Sequence, residues 1–119
     1  MINPATEWAE DMVRTWLERR VAASKLDQAA ADRAGYAAQD DYDKAAAEEW
    51  VCRTLHATDY TATQASFAKR IKDLIGQDTY PVAGINDDVR FERHVRGQLR
   101  KLAKMTKANA GFDNLLRYQ

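Results

Sequence analysis

Between Asp87 and Met105 the large apolar residues Phe91, Val95, Leu99 and Leu102 recur at intervals of four, four and three. Side chains spaced that way share one face of a 3.6-residue helix, whereas in a strand of period two they would scatter over both faces. The same rhythm returns upstream, in Phe67, Ile71, Leu74 and Ile75, in Ala47, Trp50, Val51 and Leu55, and in Trp8, Met12, Val13, Trp16 and Leu17. Five glycines and two prolines in 119 residues leave few places to turn, and a turn-rich β fold needs many. The spacing therefore predicts a mainly α fold. At this length it predicts one domain over 1–119. Of the 54 hydrophobic positions 21 are alanine, so the core is modest but large enough to close without disulfides or a structural metal.

Helix boundaries follow from capping chemistry. Asn3-Pro4, or Thr6, starts a first helix running to about Ala23, because proline costs nothing at the first helical position. The Ala-rich stretch 24–39 continues as helix with Leu26, Ala30, Ala34 and Ala37 on a narrow packing face, and Gly35 marks a bend or an end. Asp40, Asp41 and Asp43 precede the helix that carries Trp50 and Leu55. Residues 5–58 thus read as a helical hairpin, with one unbroken helix over 25–57 as the alternative. Asp59, Thr61 or Thr63 caps the helix that Gly76 ends, and residues 77–85 form a loop with a short extended piece over 80–82. Asn86 caps the last long helix, over 87–106. The tail from Thr106 ends in either a short hairpin or a helical turn.

The formal net charge of zero hides a division. Residues 1–60 carry 12 acidic and 7 basic side chains, net −5, and residues 61–119 carry 6 acidic and 11 basic, net +5. Such asymmetry points to a charged partner at the basic end, or to two halves that pack against each other. The basic excess lies on the last long helix. Opposite its apolar face, Arg90, Arg93, Arg96, Arg100, Lys101, Lys104 and Lys107 occupy an arc of roughly 140°, with Glu92 the only acid after the first turn. Like charges four residues apart repel, so Arg96 with Arg100, and Arg100 with Lys104, call for an anion. Guanidinium groups grip phosphate or a guanine edge two-pronged, and Gln98 on the flank has the amide that reads adenine.

The expected architecture is an acidic N-terminal helical hairpin (1–58) and a basic C-terminal helical module (59–119). The helices near 44–58, 64–75 and 87–106, with a short terminal hairpin, stand in the order of a helix-turn-helix or winged-helix module. The ten residues from Gly76 to Ile85 exceed the three or four of a helix-turn-helix turn, so the likeness is one of architecture alone. The expected function is non-catalytic, regulatory nucleic-acid binding, with duplex DNA as the target. Arg93, Arg96, Arg100, Lys101, Lys104 and Lys107 would make the contacts, and Lys69, Lys72 and Arg117 would add backbone contacts. The alternative is a small protein-binding adaptor or inhibitor, of the kind phages encode, whose basic helix covers an acidic surface or a nucleic-acid channel entrance on a larger machine, or whose acidic half imitates nucleic acid. Trp8 and Trp16, eight residues apart on one face, belong either to the core or to a homodimer or partner interface.

Other chemistry is weakly represented. One cysteine, Cys52, and two histidines, His56 and His94, make no zinc-ligand set. Cys52 and His56 stand four apart on a helix, a spacing compatible with a thiol nucleophile but common by chance. The Asp40–Asp43 cluster lacks the glycine turn and closing glutamate of a calcium loop. No phosphate loop, dinucleotide fingerprint or nucleophile elbow occurs. The sequence thus predicts neither enzyme activity nor a cofactor or metal. The single cysteine suits a reducing compartment, and the start MINPATEWAEDM is acidic where a secretory signal is basic and then apolar. A cytoplasmic protein without membrane insertion is expected.

Overall fold

The computed structural model describes residues 8–57, 61–80 and 88–107. Four helices account for most of them: α1 (Glu10–Ala34), α2 (Gln39–His56), α3 (Gln64–Ile75) and α4 (Asp88–Lys107), with a 3-10 turn at Tyr36–Ala38 between the first two. There is no strand among the described residues, as the mainly α reading requires. None of these helices is long and apolar enough to cross a membrane. The expected caps at Asn3 and Asn86 and the terminal hairpin lie outside the described residues, as do Pro81 and Val82 of the extended piece.

The hairpin of residues 5–58 forms, but its joint and its packing face both differ from expectation. Its first helix starts at Glu10 rather than near residue 5. Trp8 stands before it, donating its indole N–H to the Thr61 carbonyl at 2.6 Å and tilting against the Phe67 ring at 5.4 Å. From Glu10 the helix runs unbroken past Ala23 to Ala34, because nothing in this stretch opposes helix. Ser24, buried in its middle, satisfies its hydroxyl by donating to the Val21 carbonyl at 2.8 Å. Gly35 then ends α1 with φ 85°, a backbone that L side chains rarely adopt, while its N–H closes onto the Ala31 and Asp32 carbonyls.

Continuity sets the packing phase. The stripe begun by Val13 and Leu17 carries on through Val21, Ser24, Gln28 and Ala31, which face inward to differing degrees. Leu26, Ala30, Ala34 and Ala37, expected to form the packing face, are exposed instead, Leu26 at 73%. The second helix of the hairpin starts at Gln39, so Asp40 and Asp41 occupy its first turn, where the helix dipole favours them. Its C-terminal carbonyl at His56 accepts from Arg14 at 3.0 Å.

α3 matches its expected bounds. The Thr63 hydroxyl accepts from the Ser66 N–H at 3.0 Å, and the Ser66 hydroxyl accepts from the Thr63 N–H at 3.1 Å, a reciprocal cap. Thr63→Ala is expected to cost about 1 kcal/mol, read as a lowering of the melting temperature by about 4 °C. A loss within error would show that the cap is not needed.

One continuous cluster of buried side chains links all four helices. It gathers Val13, Trp16 and Leu17 of α1, Ala47, Val51 and Leu55 of α2, Phe67, Ile71 and Leu74 of α3, and Phe91, Val95, Leu99 and Leu102 of α4. α2 lies between α1 and α4, and α3 packs beside α4. The 25-residue α1, about 37 Å long, makes the molecule elongated, 54 × 30 × 21 Å. α3 and α4 are joined by residues 76–87, too many for the tight turn of a helix-turn-helix.

Candidate nucleic-acid interface

α4 turns Phe91, Val95, Leu99 and Leu102 inward, and this anchors the helix so that its remaining sides divide into two flanks and an outer ridge. One flank is held by the acids of α2. Arg90 reaches the fully buried carboxylate of Asp43 at 2.7 Å and lies 3.7 Å from Asp40. Asp40 also accepts from His94 Nε2 at 2.8 Å, and that hydrogen bond, with the nearby positive charges, holds its carboxyl below the usual range. One turn further along, Gln98 donates to Glu48 at 2.7 Å, and Glu48 takes Arg20 from α1 at 2.7 Å as well. The amide expected to read adenine is therefore engaged within the molecule.

The other flank is closed by the segment after α3. Arg96 lies over the Tyr80 ring, 5.1 Å from its centroid, and donates to the carbonyls of Gln77 and Asp78 at 3.2 and 3.4 Å. Glu92 stands 3.5 Å from the same guanidinium. Burial pushes the Tyr80 hydroxyl upward in pKa, partly opposed by Arg96. That hydroxyl donates to the Leu74 carbonyl, and the ring meets Trp50 edge-on at 5.4 Å.

Between the flanks runs a ridge of exposed residues, Val89, Arg93, Gly97, Arg100, Lys101 and Lys104, of which Lys101 stands at the edge toward α2 and borders the cleft lined by Gln98, Glu48, Asp41 and Asp27. The ridge contains no acid. None of its four cations has an ion-pair partner among the described residues, whereas Arg90, His94 and Arg96 all do. Of the cations expected to contact a partner, the structure therefore brings Arg93, Arg100, Lys101 and Lys104 together and turns Arg96 toward Tyr80. Lys69 and Lys72 are exposed on α3. The side chain of Lys107 and the whole of Arg117 lie outside the described residues. Trp16 is a core residue, 7% exposed, and Trp8 is half-buried against Phe67.

Asp40, Asp43 and Glu48 were not among the residues singled out for this region, yet they decide which cations of α4 remain outward. Elsewhere, Cys52 is buried, and desolvation with the nearby Glu48 carboxylate pushes its thiol up to about 12, so it stays protonated at neutral pH. Its helical neighbour His56 pairs with Glu18 at 2.9 Å. No group of three or more metal-ligating side chains occurs among the described residues. No protein-family model, curated protein or solved structure matches the chain.

Proposed function

We propose that this chain is a non-catalytic nucleic-acid-binding protein, with duplex DNA as its target and a regulatory role, and that the outer ridge of α4 is its contact surface. The observation that carries this reading is the ridge itself: Arg93, Arg100 and Lys104 exposed along about 16 Å of helix with no carboxylate among them, and Lys101 exposed at its edge toward α2. Helical repulsion between Arg100 and Lys104 disfavours the arrangement by a few tenths of a kcal/mol in the free chain, and phosphates relieve it. The test is fluorescence anisotropy of a labelled mixed-sequence duplex at two salt concentrations. Four phosphate contacts imply that affinity falls about a hundredfold between about 50 and 200 mM salt. Absence of saturable binding at the lower salt would reject the reading.

A second reading, a protein-binding adaptor or inhibitor, is favoured by the far end of the hairpin, where Leu26 and Tyr36 are 73% and 94% exposed. Recovery of a stoichiometric protein partner that survives nuclease treatment would place this reading first.

A further inference from the structure

At the centre of the cationic ridge stands a residue that no contact among the described residues explains. Gly97 is exposed, one turn after Arg93 and one turn before Arg100 and Lys101. A glycine within a helix costs about 1 kcal/mol relative to alanine. Two structural reasons commonly offset that cost, and neither applies. Gly97 does not have the positive φ of Gly35. A Cβ placed on it would meet nothing within 4 Å among the described residues, so none of the four helices requires the side chain to be absent. An exposed glycine leaves room for close approach by something outside the molecule, and the cations on either side favour a negative charge on it. A second copy of this chain presenting the same ridge would bring like charges together.

We infer that one sugar–phosphate strand of duplex DNA crosses α4 at Gly97, seated in the gap its missing side chain leaves, with Arg93 on one side and Arg100 and Lys101 on the other. This rests on the nucleic-acid reading above and makes it more specific. Each group of cations lies about one helical turn, roughly 5 Å, from the crossing point, with Lys104 a turn further. Contacts of this kind position a duplex and carry no base information. A helix that reads bases presents side chains from the middle of its outer face; at Gly97 α4 presents only hydrogen, and its neighbours Arg93 and Arg100 are taken up by the strand's phosphates. Gln98 beside it is held by Glu48. Recognition is therefore of the backbone, and tolerant of sequence.

The experiment compares the wild type with Gly97→Ala and Gly97→Gln by melting temperature and by anisotropy on two unrelated duplexes. Both variants are expected to melt no lower than the wild type, because alanine and glutamine are better helix formers than glycine. Affinity is expected to fall about threefold for Gly97→Ala and about tenfold or more for Gly97→Gln, equally on both duplexes. The wild type should bind the two duplexes within about threefold of each other. If Gly97→Gln binds within about twofold of the wild type while loss of Arg100 and Lys104 abolishes binding, the crossing point is overturned and the nucleic-acid reading stands. A preference of about tenfold for one duplex overturns backbone recognition. Failure of the wild type to bind either duplex overturns both inferences and leaves an acidic protein as the partner.

Discussion

Arg100→Ala combined with Lys104→Ala is expected to weaken duplex binding at about 50 mM salt by tenfold or more. Both side chains are exposed on the outer ridge and neither has an ion-pair partner among the described residues. Their removal thus subtracts contacts to the ligand without disturbing the fold. The salt dependence carries the sharper information. Each phosphate neutralised contributes about −0.9 to the slope of log affinity against log salt, so four contacts give about −3.6 and the double variant about −1.8. Equal losses on unrelated sequences, with the slope reduced by half, would identify the two residues as phosphate contacts. Unchanged affinity would remove this helix from the binding surface. The melting temperature should stay level or rise slightly, because the repulsive i,i+4 pair is gone.

A larger effect on stability is expected at the other side of the same helix. Arg90→Met removes the cation that lies 2.7 Å from the Asp43 carboxylate, a group with no exposed surface. The other carboxylate oxygen, Oδ1, has no hydrogen-bond donor among the described residues, so the loss of Arg90 leaves a buried anion poorly compensated. Breaking a buried pair from one side costs about 3 kcal/mol or more, which corresponds to a melting temperature lower by about 12 °C for a chain of this size. Adding Asp43→Asn should recover a substantial part of that loss, because the stranded charge disappears with it. A loss under about 1 kcal/mol for Arg90→Met would mean that the pair behaves like a surface contact.

The parts of the fold that depend on local chemistry were legible in the sequence. α3 matches because Thr63 caps it and Gly76 follows its last apolar residue, and α4 matches because its stripe of Phe91, Val95, Leu99 and Leu102 admits one inward face. α1 was harder. Its Ala-rich second half takes its orientation from Val13 and Leu17 through helical continuity, and a window beginning at Ser24 sees Leu26 as the natural anchor of a separate face. The division of α4 into flanks and ridge was only partly legible. A helical wheel puts Arg90 and Arg96 toward opposite edges of the cationic arc and Arg100 between them, but it does not say what faces each edge. The edges are distinguished by where α2 places Asp40, Asp43 and Glu48 and by where the segment after α3 places Tyr80, all of them contacts between positions far apart in the chain.

The single cysteine has a practical consequence for the molecule as an object of measurement. Cys52 sits on the central helix at 2% exposure, with its thiol protonated at neutral pH, so an electrophilic reagent reaches it when the packing around α2 opens. The thiolate forms more readily once the group is solvated. The chain thus carries an internal clock for its own opening, readable at one site without an added label. Where opening and closing are fast relative to the chemistry, the reaction rate reports the equilibrium population of the open state. Changes on the solvent ridge of α4 should leave that clock unchanged or slow it, and changes at the contact between Arg90 and Asp43 should speed it.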